Sequence, residues 1–414
     1  MSLDISVIVP THDRAAELPR LLRSLADQSL PATAFEVIVV ADGCSDDTVE
    51  RVRAAAMPTA LRVQAQPRQG AAAARNFGAR LARAPLLVFL DDDMEALPGL
   101  LAAHLAAQRD TAGIVGLGYF TLPPHLRSEA PLALANALWW DGHFTRLFTG
   151  AHRMTFQDLL SGNVALPKAL FDEIGGFDES FIDRAGEDYE LGARLMARRV
   201  PFRFVPEAAS LHHDHPTLLR FARRAFAEGR GHVLLARKHP ALAETLPLLA
   251  PDAHPLRHLR RSPALMAALV PLARPAAALA GALRLRGSFA KLLRLLHVCC
   301  YWRGVVHECG SAAAVTRLRA SLAETVPPPV VRGIVDLADL SRLAEILDGR
   351  FDELDLHHGA ERIGTIAACP GAEALRPGHV RYALVHQHGE AWRWAMLAQP
   401  GSRNFLADLT PQNG

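Results

Sequence analysis

The stretch LLVFLDDDM, residues 86–94, decides the fold. Five apolar residues, Leu86 to Leu90, stop abruptly against Asp91, Asp92 and Asp93. So short a run, apolar at every position and bounded by acids, is a strand buried on both faces, and such strands belong to parallel sheets. Towards the N-terminus, Ile5-Ser6-Val7-Ile8-Val9 is a second run of this kind, ended by Pro10 and Thr11. Val37-Ile38-Val39-Val40 is a third, and it stops at Asp42-Gly43. Between them Leu18, Leu21, Leu22 and Leu25 keep the i, i+3, i+4, i+7 spacing of a helix, and Asp46-Asp47 place acids in the first turn of another. Further on, Leu61-Arg62-Val63 reads as a weak strand, 71–83 and 97–108 as helices, and Ile114 to Leu117 as a strand. Strands alternating with helices predict an α/β domain: a mostly parallel sheet with helices on both faces. Ligands of such sheets bind beyond the carboxyl ends of the strands, where Asp42 and Asp91–Asp93 lie.

From about residue 155 the pattern turns to loops and helices, with one last strand-like piece from Val205 to His213 and a basic amphipathic helix over 217–236. Pro240, Pro247, Pro251 and Pro255 mark a linker, followed by Ala/Leu-rich helices over 262–285 and 288–306. Pro327-Pro328-Pro329 punctuates the chain again. Beyond it, Val330–Leu337 reads as a strand, Leu340–Leu347 as a helix, Leu354–Ile366 as one or two strands and 377–397 as a helix. The expected organisation is an α/β domain over 1–240, a helical linker and membrane-interface segment over 241–326, and a small α/β module over 327–414. In the last, Asp336, Asp339, His357 and His358 have no spacing that makes a site.

Composition narrows the function. Of 414 residues half are hydrophobic, which excludes wholesale disorder. Lys+Arg is 45 against Asp+Glu 43, a formal charge of +2 that argues against a nucleic-acid polymer as partner. The five cysteines, odd in number and without CxxC spacing, fit a reducing compartment better than a disulfide framework. Met1-Ser2-Leu3-Asp4 lacks the basic n-region of a signal peptide. The 263–283 stretch is long enough to span a bilayer, but Arg274 at its centre and the flanking Pro271 and Pro275 favour a buried or interfacial helix.

Three constellations carry chemistry. Asp91 and Asp93, one residue apart at a strand end, are expected to point to one side and clamp a hard divalent cation, Mn²⁺ or Mg²⁺, that shares its shell with substrate phosphates. An acidic helix-capping cluster is the structural alternative. Glu187 and Asp188 open the helical run 191–198, where a carboxylate serves as general base once its surroundings raise its pKa, or merely as an acidic first turn. In His212-His213-Asp214-His215 an imidazole can complete a metal shell.

Taken together the motifs resemble the family 2 glycosyltransferases of GT-A fold. SVIVPTHDR (6–14), VIVVADGCSDDT (37–48), GAAAARNFGA (70–79), LVFLDDDM (87–94), SGNVALPKALFDEIGGFDESF (161–181) and GEDYELGARL (186–195) occur in the family's order. The resemblance covers about residues 4–235. It implies a Rossmann-like GT-A domain, with the helical segment and the small α/β module following. Position by position, it implies that Pro10 and Thr11 lie under the nucleotide and that Asp42 reads the base. It places Arg75 near the nucleotide, makes Asp91 and Asp93 the outer members of the metal-binding DxD element, and sets Asp92 facing the ribose or sugar. Asp188 matches the catalytic base, with Glu187 beside it, and His212 a metal-contacting histidine. Two departures bear on nucleotide preference: Ala41 stands where an acid is common, and His12-Asp13 replaces Tyr-Asn.

The implied reaction is a single inverting displacement from a nucleotide-diphosphate sugar, a UDP-sugar by preference. The acceptor is a hydroxyl of a polysaccharide, glycolipid or lipid-linked saccharide. The implied location is the cytoplasm, peripheral on the inner face of the cytoplasmic membrane. A nucleotidyltransferase would need a Gly-rich phosphate loop with a nearby lysine, whereas Lys168, Lys238 and Lys291 are the only lysines. A non-catalytic scaffold would be expected to lose the acids that remain here at Asp91, Asp93 and Asp188.

Overall fold

The computed structural model describes residues 3–150, 152–249, 263–338, 340–347 and 350–397. The apolar runs become strands β1 (Ile5–Thr11), β2 (Phe35–Asp42) and β4 (Leu86–Leu90), every residue of which is buried. Helices α1 (Leu18–Ala26), α2 (Thr48–Ala54) and α3 (Ala71–Leu81) and strand β3 (Ala60–Gln66) fall between them as the periodicity predicts. Then come β5 (Met94–Ala96), α4 (Leu100–Asp110), β6 (Val115–Thr121), α5 (Pro124–Glu129), α6 (Pro131–Phe148), β7 (Asn163–Pro167), α7 (Lys168–Ile174), α8 (Glu187–Ala197) and β8 (Phe202–His212). One sheet of eight strands has the order β3-β2-β1-β4-β7-β6-β8-β5.

Strand alternation explains the two-faced burial. Ile5, Val7, Val9, Val37, Val39, Val88 and Leu90 project into one core with the leucines of α1 and α4. Ile8, Ile38, Val40, Leu87 and Phe89 project into the other, with α3, α7 and α8. β1 runs parallel to β2 and β4. β7 reverses direction against both β4 and β6, and β8 runs parallel to β6. The end of β8 therefore lies at the same sheet edge as the ends of β1, β2 and β4, and the start of β7 joins them there.

Strand β7 is the main departure from the sequence reading, which expects loops and helices there. Its run NVALP has only three apolar residues, Val164 to Leu166, between a polar Asn163 and Pro167, so it lacks the unbroken apolar run that marks β4.

The second half is a helical layer: α9 (Leu218–Lys238), α10 (Pro263–Ala282), α11 (Arg286–Cys309) and α12 (Ala312–Ala323), the last not expected. The predicted linker is partly core, since Leu242, Ala243, Leu246 and Leu248 are buried; Pro251 and Pro255 lie outside the described residues. Glycines set the spacing of this layer. A Cβ on Gly229 would stand 2.0 Å from the Tyr301 carbonyl oxygen, and one on Gly304 2.1 Å from that of Phe226, so α9 and α11 touch backbone to backbone. On the same helix, a Cβ on Gly231 would stand 1.7 Å from the Ala185 carbonyl oxygen.

Near the C-terminus, β9 (Arg332–Asp336), α13 (Leu343–Leu347), β10 (Glu353–His358), β11 (Glu361–Ile366), α14 (Pro377–His386) and α15 (Gly389–Leu397) surround a small core. The expected last helix is thus two, and Asp339 and residues 398–414 lie outside the described residues. This unit leans on the large sheet's loop: Arg153 donates to the carbonyls of Glu373 (2.6 Å) and Asp352 (3.0 Å), and Phe156 N–H to Gly371 (2.8 Å).

Gly231→Ala is expected to push α9 off the 183–186 loop and destabilise the chain by about 1–3 kcal/mol, the usual cost of overpacking. Chemical denaturation checks this; an unchanged midpoint would show that the helix layer yields freely.

Candidate active site

Loop geometry at the strand ends begins with Asp42, at the end of β2. Its carboxylate accepts from Gln66 Nε2 (2.8 Å) and from the backbone N–H groups of Gln69 and Gly70 (both 2.7 Å). Gly70 has φ +93°, which glycine adopts without strain, and it starts α3. Asp42 thereby holds the entrance of the helix that carries Arg75.

Arg75 is buried, and its guanidinium divides between two acids. Nη2 donates to Asp91 at 2.7 Å and Nη1 to Glu187 at 3.0 Å, while the group lies 5.4 Å from the centre of the Phe177 ring. The glycine before β7 makes room for this pairing. Asp91 N–H donates to the Gly162 carbonyl, and a Cβ on Gly162 would meet Asp91 Oδ2 at 2.8 Å.

Asp91 and Asp93 take different protein partners at the end of β4. The strand ends at Leu90 and the chain turns, with Met94 N–H donating to the Asp91 carbonyl. Asp91 faces Arg75, whereas Asp93 faces His212 (3.3 Å) and Arg14 (3.8 Å), and Asp92 lies 3.6 Å from Arg14. Arg14 had no role in the sequence reading, because a single loop arginine has no periodicity to mark it. His213, the other candidate histidine, is committed to Glu95 at 2.6 Å. Thr11 is buried at the end of β1 after Pro10, beside Asp92.

Electrostatics follow from this crowding. Burial, reinforced by Asp93, pushes Asp92 up to about 7. Burial would also raise Asp93, but the His212 hydrogen bond and the charges of His212, Arg14 and Arg220 hold it below the ordinary value. Burial works against a charged His212, yet its bond to Asp93 and the nearby acids raise its pKa. At the start of α8, Gly186 turns the chain with φ +107° and presents Glu187 and Asp188. Asp188 accepts from the Tyr189 N–H at 2.8 Å, and desolvation together with Glu187 raises it to about 7.

Five carboxylates thus meet Arg14, Arg75 and His212. A divalent cation fits this donor set: oxygen ligands predominate, negative charge is in excess, and His212 Nδ1 is buried without a hydrogen-bond partner. Among the described residues a tighter group of three donor atoms, all within 4.8 Å, occurs at His12, Asp13 and Cys44. Its members already serve the turn: Asp13 accepts from the Ser45 and Asp46 N–H groups, and His12 Nδ1 lies 2.7 Å from the Asp42 carbonyl.

Residues 6–159 match the model of glycosyl transferase family 2, and residues 145–216 that of the N-terminal domain of galactosyltransferase. A validoxylamine A glucosyltransferase of Streptomyces hygroscopicus subsp. jinggangensis is 35% identical over 270 residues, 58% of this chain and 62% of that protein. A pre-mycofactocin glycosyltransferase of Mycobacterium tuberculosis is 31% identical over 256 residues, 59% of this chain and 50% of that protein. The chain therefore spans less than two thirds of the length of these curated relatives. A mannosyltransferase from Pyrobaculum calidifontis, solved with GDP-Man and Mn²⁺, aligns with a TM-score of 0.45 and 20% identity, over 77% of this chain and 88% of that one.

The raised Asp188 has a stability signature. Between about pH 4 and pH 7 the folded chain holds a proton that the unfolded chain has released, so this group's contribution is lost as pH rises through that window. Asp188→Asn removes the titration and is expected to raise the melting temperature at pH 8 by about 2–4 °C, with a much smaller effect at pH 5. Parallel pH profiles for the two proteins would remove the raised pKa.

Proposed function

We propose, from the match of residues 6–159 to the model of glycosyl transferase family 2, that the chain is an inverting glycosyltransferase of GT-A fold that uses a nucleotide-diphosphate sugar and a hydroxyl acceptor. One observation carries the reading. Buried Arg75 ties the acidic turn after β4 to the start of α8, and the neighbouring Asp188 carboxyl is poised near neutrality.

In this reading Asp188 takes the proton of the acceptor hydroxyl as its oxygen attacks the anomeric carbon, and the bond to the nucleoside diphosphate breaks in the same step. A base with a pKa near working pH is both deprotonated often enough and basic enough to do this. Glu187, held by Arg75, keeps the base elevated through its charge. Asp91, Asp93 and His212 would hold Mn²⁺ or Mg²⁺, which supplies Lewis-acid neutralisation of the departing diphosphate. Asp91 would serve that ion while Oδ1 stays with Arg75. Asp92 and Thr11 line the ribose side, Pro10 lies under the nucleotide, and Asp42 contacts the base through the lone pairs its backbone bonds leave free. A UDP-sugar is the favoured donor, and a polysaccharide, glycolipid or lipid-linked saccharide the acceptor.

In this reading residues 1–240 carry catalysis, with 241–326 and 327–414 as accessory segments. A cytoplasmic enzyme seated on the inner membrane face suits an acceptor held in lipid.

Incubation with UDP-, GDP- and dTDP-sugars is expected to release nucleoside diphosphate in the presence of Mn²⁺ and not with EDTA. Asp188→Asn should lower turnover about 10²–10⁴-fold, the usual span for a general base. In the wild type kcat/KM should rise with pH and level off above about 7. No release from any of these donors would sink the reading, and so would release indifferent to both EDTA and the Asp188 substitution.

A further inference from the structure

Helix α10 has two faces of unlike partnership. Met266, Ala273, Ala277 and Ala280 are buried, and α10 packs along α11. The other face carries Leu265, Leu272, Leu279 and Leu283, exposed at 45, 66, 61 and 59%. Leu265, Leu272 and Leu279 repeat every seven residues, which lines them along one side of the helix. Single exposed leucines need no explanation, but an apolar row along a helix of 20 residues, about 30 Å, does.

Charge says what covers it. From Pro263 to His307 the chain has no Asp or Glu, yet it carries Arg274, Arg284, Arg286, Lys291, Arg294 and Arg303. A +6 segment therefore sits in a chain whose net charge is +2. Arg284, Arg286, Lys291 and Arg294 are exposed and gather where α10 passes into α11, at the end of the leucine row. Exposed apolar side chains beside cations that have no ion pair among the described residues complement a surface with a hydrocarbon layer beneath anionic headgroups.

We infer that the outer face of α10, with the basic α10–α11 corner, is a docking surface for an anionic lipid bilayer, on which the helix lies in the plane of the headgroups. It does not cross. Arg274 is exposed midway along the helix, where its long stem reaches the headgroup level from an in-plane helix. Pro271 and Pro275 lack the N–H groups that would pair the carbonyls of Ala267 and Pro271, and those positions are on the exposed side. Unpaired carbonyls are tolerated in the hydrated interface and not in hydrocarbon. The purpose of docking rests on the transferase reading. α9 lies between this layer and the Asp188 loop through the Gly229–Tyr301 and Gly231–Ala185 contacts, so a docked layer holds the catalytic base at a fixed relation to the membrane.

Flotation of the full chain with phosphatidylcholine vesicles, with and without phosphatidylglycerol, tests the surface. Binding is expected only to the anionic vesicles, released by high salt and by alkaline carbonate. Leu272→Glu with Leu279→Glu, and separately Arg284→Glu with Arg286→Glu, should each weaken it about tenfold or more while thermal stability stays unchanged. Four results would overturn the proposal: equal binding by the variants, equal binding to neutral vesicles, carbonate-resistant insertion, or a dimer that the leucine substitutions disperse without vesicle binding. Sugar-nucleotide hydrolysis measured on the same samples reports on the transferase reading separately, since none of the four residues lies at the acidic site.

Discussion

Everything at the acidic cluster beyond the strand ends depends on one buried guanidinium. Arg75 cannot be left unpaired in the protein interior, because an isolated buried charge is costly and pairing with hydrogen-bonded acids offsets that cost. It therefore forces two distant pieces of chain, Asp91 and Glu187, to within hydrogen-bond distance of one side chain. The order of assembly follows from this demand. Asp42 anchors the entrance of α3, α3 aims Arg75, and Arg75 draws the turn after β4 against the start of α8. Gly162 and Gly186 are the backbone conditions for it: the first leaves space for Asp91, the second turns the chain into α8. The proposed base, Asp188, inherits its environment from that closure. It sits one residue beyond an acid that is itself held in place, and the charge of Glu187 adds to desolvation in raising it.

Much of this was legible in the sequence because the parallel core speaks plainly. β1, β2 and β4 are apolar at nearly every position, bounded by turn residues or acids, and no other element makes that pattern. The leucine spacing of α1 is equally direct. What the sequence concealed was decided by tertiary contact. β7 is five residues long and earns its pairing from neighbours on both sides. The separate partners of Asp91 and Asp93 were not legible, because alternation describes only extended backbone and here the chain turns after Leu90. Arg14 was hidden because its partners, Asp92 and Asp93, lie nearly eighty residues away and nothing local marks the pairing. Asp42 was found, but as a contact for a ligand; that its oxygens also cap a distant helix entrance is a fact of folding that no motif states.

Helices beyond the sheet are joined to the site by close backbone approach. Where Gly229, Gly304 and Gly231 sit, the neighbouring carbonyl occupies the space that a side chain would take. Such contacts are stiff, since interiors packed at crystal-like density transmit displacement rather than absorb it. The C-terminal unit is tied in differently, by Arg153 reaching two of its carbonyls and by Gly371 lying against Phe156. Phe156 in turn underlies α8, where a Cβ on Gly192 would stand 2.4 Å from its carbonyl oxygen. The α8 helix is therefore gripped from the C-terminal side as well as by Arg75. In a proposed enzyme whose base opens that helix, these supports fix the direction from which an acceptor is deprotonated.

Charge also bears on the proposed reaction, in which this site would take a metal-borne diphosphate more readily than a bare one. Arg75 resembles a phosphate ligand when read as a lone arginine, yet its Nη1 and Nη2 already face Glu187 and Asp91, and its Nε is buried. Arg14 is shared between Asp92 and Asp93, and His212 leans on Asp93. Among the described residues that meet here, the acids outnumber Arg14, Arg75 and His212. A free diphosphate approaching it would meet repulsion at short range, in surroundings where water screens little. The same excess of carboxylate is what attracts a divalent ion, and an ion shared with the diphosphate converts the repulsion into attraction. The arginine that resembles a phosphate ligand is better understood as a tie beam between Asp91 and Glu187, and in the proposed reaction the leaving group would be met by the carboxylates and the ion they would hold.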